Sequence, residues 1–349
     1  MQNSLKNGGA IIRQEESRRY VVPSATGKRF SGDTKVTDML YSCYHLAIQE
    51  EDFDEQLDAI KARYQEIIDG LKLDLSLDQE FKVIRENFSK KVGRDYAASR
   101  GEYLNGMIMA AYLGYEFIDA AEVIFFNEKG GFDADKTQKI LSERLAHTEK
   151  AVIPGFYGAG YDGTVKTFSR GGSDVTGSIV AKAVHADMYE NWTDVSGFLM
   201  ADPRIVKDPK PISTVSYKEL RELSYMGASV LHEDAIYPAR IANIPINIRN
   251  TNEPENPGTM ITSEPAKLEE GQIIAGIAGS KDFTVITMYK ALAVKAVNVD
   301  LSVKCPAYWK ISIFRSSTSQ AAWIRCQSLF QTSSWVESWK IYWMNSNVS

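Results

Sequence analysis

The sequence predicts an α/β protein built on a largely parallel sheet. Short apolar runs of strand character, at 151–155, 188–193, 246–249 and 260–261, alternate with stretches of helical spacing at 176–184 and 217–225. Ahead of them lie long amphipathic segments, and behind them the pattern dissolves. The chain of 349 residues is long enough for one large domain and a small second one. Its 44% hydrophobic and 24% charged content excludes a disordered or collagen-like chain.

Tyr20-Val21-Val22 reads as a short strand entering the turn Pro23-Ser24-Ala25-Thr26-Gly27. A helix is expected over 35–49, where Val36, Met39, Leu40, Cys43 and Leu46 share one face. Phe53, Leu57, Ile60, Tyr64, Ile67 and Leu71 mark a second, and Phe81, Ile84 and Phe88 a third; together they read as a helical insertion over about 50–95. Leu104, Met107, Ile108, Ala111 and Tyr112 mark a helix following the turn Ser99-Arg100-Gly101-Glu102. After Pro265, stretches 271–278 and 283–288 read as strands opening a small separate domain.

The end of the chain differs in composition. Five of the six tryptophans (Trp309, Trp323, Trp335, Trp339, Trp343) lie there, and Glu337 is the one acidic residue after Asp300. No period of 2 or 3.6 is evident, so no regular structure is expected over 303–349.

Composition also narrows function. A net charge of −5 argues against nucleic acid as the main partner. No apolar run approaches the ~18 residues that span a bilayer, and the polar start is no signal peptide. Cys43, Cys305 and Cys326 form neither a disulfide framework nor a zinc spacing. A cytoplasmic globular protein acting on something small is the expectation.

The strongest local signal is Ser169-Arg170-Gly171-Gly172-Ser173-Asp174-Val175-Thr176, running into a helix. Two glycines allow close backbone approach, the helix start favours anions, and Arg170 offers a fork for carboxylate or phosphate. The same residues also read as a capped helix start with Ser173 or Asp174 as N-cap. Thr193-Asp194, with Asp202-Pro203-Arg204 downstream, ends a parallel strand, where open α/β sheets bind ligands; a plain Asp-Pro loop is the competing reading. Lys28 and Arg29 could clamp an anion or form an exposed basic pair. Glu102 could complement a helix dipole, and Phe156 could be core or substrate wall. His45, His147, His185 and His232 share no ligand spacing, and there is no Walker A, Gly-x-Gly-x-x-Gly or Gly-x-Ser-x-Gly pattern.

Taken in order, several segments resemble the aspartate kinases of the amino-acid kinase superfamily. The resemblance is carried by Val22–Ala25 with Gly27–Ser31, Lys35–Leu40, Ser99–Glu102, Ser169–Thr176, Trp192–Gly197, Ala201–Val206, Tyr225–His232, and Asn250-Thr251 with Pro257–Thr259. It implies a three-layer α/β/α sandwich with a mainly parallel sheet, similar to carbamate kinase, over residues 1–262. It also implies transfer of the γ-phosphoryl group of ATP, carried with Mg2+, to the side-chain carboxylate of L-aspartate. The product would be 4-phospho-L-aspartate, at the head of lysine, threonine and methionine biosynthesis. By the same resemblance, Arg170 clamps the aspartate α-carboxylate and Glu102 holds its amino group. Ser24, Thr37, Phe156 and Ser173 line that pocket, Asp174 lies beside the reacting carboxylate, and Thr193, Asp194 and Arg204 belong to the nucleotide side. Members often carry lysine near the nucleotide where Ser229 stands.

Two departures from the family pattern are expected to matter. Members begin with a strand entering Lys-Phe-Gly-Gly-(Ser/Thr)-Ser, and here that motif is missing; Lys6-Asn7-Gly8-Gly9 lies too close to Ser24 to replace it. Members also continue into ACT regulatory domains and form homodimers. Here an ACT pattern starts over 263–291 and gives way to an aberrant tail over 292–349. Codons for 312–328 shifted by two bases permit an ACT-like strand, which suggests a frameshift near 290–302. The alternative reading is a catalytically dead or unstable remnant that at most binds nucleotide or aspartate.

Overall fold

In a computed structural model, residues 2–169, 171–225, 231, 233–264 and 276–277 are described, with the strands at 283–292, 309–315 and 322–331. The chain divides into two units, Met1–Ala278 and Gly279–Ser349.

The first unit begins with α1 (Gln2–Gln14), so Gly8 and Gly9 lie inside a helix and not in a phosphate-binding loop. Strand β1 (Tyr20–Val21) follows, then four helices: α2 (Val36–Gln49), α3 (Asp54–Leu71), α4 (Asp78–Ser89) and α5 (Arg94–Leu113). Left-handed residues at Glu50 and Lys72 end α2 and α3. The apolar stripe of α3, with Leu57, Ile60, Tyr64, Ile67, Ile68 and Leu71 buried, packs into one core with α2, α4 and α5. Each fully buried aliphatic side chain there contributes about 1.5–3 kcal/mol. Tyr44, Phe53 and Tyr96 surround Phe88 with ring centroids 5.8–6.3 Å away.

Two short strands and two helices continue the chain: β2 (Glu116–Phe117), α6 (Ala120–Val123), α7 (Ala134–Ala146) and β3 (Ala151–Val152). β1 and β2 flank β3, both parallel to it. The hairpin β4 (Tyr157–Ala159) and β5 (Val165–Thr167) leads to α8 (Gly172–Ala183). Next come β6 (Tyr189–Thr193), β7 (Thr214–Ser216), α9 (Tyr217–Tyr225), α10 (Tyr237–Ile241), β8 (Ile246–Asn250) and β9 (Thr259–Thr262). They give a sheet ordered β6-β8-β9-β7, parallel except between β8 and β9. The α/β expectation is met, with the parallel sheet in two pieces among the described strands.

Three local expectations are corrected. Ser99–Glu102 is no turn at a helix start: α5 begins at Arg94 behind Gly93, whose φ of 146° suits glycine. Glu102 is therefore more than two turns inside the helix, beyond the reach of the end dipole. The N-cap of α8 is Gly171, at φ 55°, with Ser173 and Asp174 already in the first turn. The third concerns the second unit, where β10 (Phe283–Leu292), β11 (Trp309–Arg315) and β12 (Ala322–Gln331) pair antiparallel in the order β10-β12-β11. The region expected to lack regular structure thus contains two strands. Their β-branched and aromatic residues suit a pleated surface despite the absent alternation. The expected strand over 271–278 falls largely outside the described residues, as do Ser229 and His232.

Candidate active site

β1 and β6 run alongside one cleft of about 880 Å³, lined from Ser17 to Lys28 and from His185 to Trp192. Its walls include α1, the turn after β1 and the first turns of α8, and among its lining residues are Ser24, Thr26, Asn105, Ser173, Asp174 and Asn191. The lining mixes polar and apolar groups, and the open edge of β1 adds backbone groups to it. The carbonyls of Arg19, Val21 and Pro23 accept from Ala151 of β3 and from Ile153 and Gly155 beyond it. The backbone groups of Tyr20 and Val22 consequently face away from β3.

The turn at Ser24–Thr26 is held from behind by α5. Asn105 Nδ2 donates to the Ser24 carbonyl at 2.6 Å, and the Glu102 carboxyl accepts from the Ala25 backbone. Gly101 permits this approach, since a Cβ there would lie 3.0 Å from that of Ala25 and 3.6 Å from the Thr37 hydroxyl. Thr37, in the first turn of α2, thereby joins the same neighbourhood. Among the described residues four buried oxygens are left without a hydrogen-bond partner: Asn247 Oδ1, and around this turn Thr26 Oγ1, Glu102 Oε2 and Asn105 Oδ1. Burial raises the Glu102 carboxyl to about 7, against the weaker pull of backbone donors and the Arg100 guanidinium. Arg100 is itself buried, stacked at 4.3–5.3 Å on Tyr96, Tyr103 and Tyr157.

On the opposite wall, Asn191 Nδ2 donates to Asp174 Oδ1 at 2.8 Å. Burial raises the Asp174 carboxyl from its ordinary value despite this bond. Ser173 packs against Gly155, where a Cβ would come within 2.6 Å of the hydroxyl. Phe156 adopts φ 82°, with its N–H donating to Thr176 Oγ1 at 3.1 Å and its carbonyl accepting from Phe168 at 2.9 Å. That strained conformation places Phe156 between β3 and α8, against Gly172.

The remaining candidates are spread out. Thr193 ends β6, and its carbonyl accepts from the backbone and hydroxyl of Thr251 at 2.8 and 3.0 Å. Thr251 lines the cleft; Asp194, one residue beyond Thr193, is exposed. Arg204 is not among the cleft residues: its guanidinium is engaged by Asp202 at 2.6–3.1 Å with the side chain 85% exposed. Arg170 lies outside the described residues. Thr26, Asn105 and Asn191 were missed as site residues. Asn105 had a readable signal, since it stands one helical turn beyond Glu102 on the same face.

This chain matches the amino acid kinase family over residues 7–250. It is also 47% identical to the crystallised aspartate kinase of Clostridium acetobutylicum, with a TM-score of 0.82 covering 94% of this chain and 75% of that one. The chain belongs to the amino acid kinase family, in its aspartate kinase branch. Aspartokinase 3 of Bacillus subtilis (strain 168) is 37% identical over 296 residues, 81% of this chain. The chain spans 65% of the length of that relative. The fold is shared with E. coli aspartokinase III, crystallised in complex with aspartate and ADP: TM-score 0.65, 21% identity, covering 96% and 77% of the two chains. Ser24, Glu102, Ser173 and Asp174 all fall within the span of the family match.

Proposed function

We propose that this protein transfers the γ-phosphoryl group of ATP to the side-chain carboxylate of L-aspartate, in the cytoplasm, with residues 1–262 as the catalytic domain. The observation that carries the reading is the set of buried acceptors without donors at the Ser24–Thr26 turn. Glu102 Oε2, Thr26 Oγ1 and Asn105 Oδ1 supply the oxygens that an ammonium group, with three N–H donors, needs when it leaves water. An α-amino group meets that requirement; a neutral hydroxyl would leave the Glu102 charge uncompensated. Aspartate as the amino acid is supported by the names of the 37% and 47% identical relatives.

Phosphoryl transfer asks the protein mainly for positioning and charge stabilisation. Glu102 and its neighbours would hold the amino group. Arg170 would clamp the α-carboxylate, with Thr37, Phe156, Ser173 and Ser24 shaping the pocket. Asp174, held by Asn191, lies across the cleft, where the side-chain carboxylate would be presented to the nucleotide. Thr193 and Asp194, at the carboxyl end of β6, and Arg204 would serve the nucleotide side. Mg2+ binds through one or two protein carboxylates together with substrate phosphates. Among the described residues there is no cluster of three or more His, Cys, Asp or Glu that could hold a metal ion. Asp174, a half-buried carboxyl bonded by Asn191, and exposed Asp194 would suit the sparser arrangement.

The test is aspartate-dependent ADP release from MgATP, with hydroxylamine trapping of the acyl phosphate and glutamate as the competing acceptor. Aspartyl hydroxamate formed in preference to the glutamyl product is the expected result. Saturable aspartate binding by folded protein without ADP release would leave the ligand site standing and remove the reaction.

A further inference from the structure

Arg63, one of the buried cations among the described residues, has no part in these roles. Arg63 lies on α3 and is only 2% exposed, within the stripe formed by Ile60, Tyr64 and Ile67. Its guanidinium donates to the Gly27 carbonyl and to the Thr34 carbonyl, each at 2.8 Å, and pairs with Asp33 at 2.9 Å. Those three groups bracket the loop 27–34, which joins the Ser24–Thr26 turn to α2. The adjacent residue extends the same support: the Tyr64 hydroxyl, also buried, donates at 3.0 Å to the Gly101 carbonyl, next to Glu102. Two consecutive side chains of α3 thus fasten both sides of the pocket that contains the donorless oxygens.

We propose that Arg63 is a positioning residue for the amino-acid substrate, fixing the loop 27–34 so that Thr26 and Thr37 stand opposite Glu102. The inference rests on the function proposed above and deepens it. Burying a guanidinium in an apolar stripe is costly unless its bonds are satisfied. A hydrophobic residue would serve packing alone equally well, whereas a planar fork reaches one carboxylate and two carbonyls at once. The contact at Gly27 is one peptide bond from Thr26, so small changes at Arg63 move a pocket oxygen directly. Arg29 also holds Asp33, through Nε and Nη2 at 3.1 Å, so replacing Arg63 does not strip that carboxylate of its cation.

The experiment compares wild type, Arg63→Gln and Arg63→Lys in the full chain. It measures KM for aspartate and for MgATP, kcat, melting temperature, and amide exchange over 27–34. In Arg63→Gln the aspartate KM should rise about tenfold, with kcat and the MgATP KM within about twofold of wild type and faster exchange over 27–34. Arg63→Lys keeps the charge but offers a single nitrogen, so its aspartate KM should rise about threefold. An unchanged aspartate KM in either folded variant overturns the proposal. So does a general loss, in which both KM values, kcat and melting temperature move together and lysine rescues nothing. If Arg63→Gln does not fold, Arg63→Lys alone decides by the same criterion. Wild-type protein that neither turns over nor binds aspartate would instead remove the function reading, and this inference with it.

Discussion

The cleft wall beside β1 and the open side beyond β6 are built differently. On the side of β1, the Ser24–Thr26 turn is held by Asn105 and Glu102 of α5, and the loop beyond it by Arg63 of α3, all buried. Beyond the carboxyl end of β6, outside the cleft lining, Asp194 is exposed, and Arg204 stands in solvent on a surface loop, paired with half-buried Asp202. Buried polar groups hold one geometry because leaving a bond unmade costs about 1–3 kcal/mol each. Exposed pairs exert no such hold, with a median worth of about 0–1 kcal/mol. Under the function proposed above, this contrast would place selectivity for the small substrate on the rigid wall, and a nucleotide, which brings its own charge and counterion, would be met by the open side.

The strongest way to break this contrast is Glu102→Gln. Removing the charge opposite an ammonium should raise the aspartate KM or Kd by about a hundredfold or more, with the MgATP KM little changed. The same substitution should stabilise the unliganded protein. A carboxyl raised to about 7 makes the folded state prefer the proton. Stability from this group is therefore full below the ordinary glutamate range and is lost as pH rises towards about 7. At about pH 8 the isosteric amide should gain up to about 3 kcal/mol over wild type, read as a higher melting temperature. A Glu102→Gln protein that binds aspartate normally, or melts lower at that pH, would contradict the reading.

The pH dependence of wild type gives a smaller and independent check. Only ionised Glu102 can pair with the amino group, so aspartate affinity should fall by about tenfold per pH unit below about 7. The effect should vanish in Glu102→Gln. A flat profile between about pH 5 and 7 in wild type would place the amino group elsewhere.

Much of this site was legible in the sequence, but not its construction. The helical spacing of Leu57, Ile60, Tyr64 and Ile67 announced α3, and the alternation of strands and helices announced the layered sheet. Local patterns failed where tertiary packing decides. Ser99–Glu102 contains a glycine and polar residues, so it reads as a turn. The glycine is there because Ala25 and Thr37 press on α5 at that point. No local pattern marks Arg63, because its partners Gly27, Asp33 and Thr34 lie about thirty residues away in a loop. Asn191 could be recognised only once β6 was placed beside the first turn of α8.

Asn191→Ala probes the one described hydrogen bond to the Asp174 side chain, on the far wall. That bond favours the charged carboxylate, whereas burial opposes it. Without it the carboxyl titrates higher, so the acid limb of the kcat profile should move up in pH. At neutral pH kcat should fall by about threefold to tenfold, while the aspartate KM stays within about twofold. An equal loss in both parameters would mean that the substitution disturbs the pocket as a whole.

The smallest expected effect belongs to Arg204→Ala. Its guanidinium is 85% exposed and already committed to Asp202, two residues away, so the pair constrains only its own loop. Stability should change by less than about 0.5 kcal/mol. If Arg204 is recruited to a phosphate, it must leave Asp202 and cross from a loop that does not line the cleft, and that cost limits its net contribution. The MgATP KM should therefore rise by no more than about threefold, with the aspartate KM unchanged. A far larger loss confined to MgATP would show that the open wall closes on the nucleotide, and the contrast between the two sides would then describe only the unliganded protein.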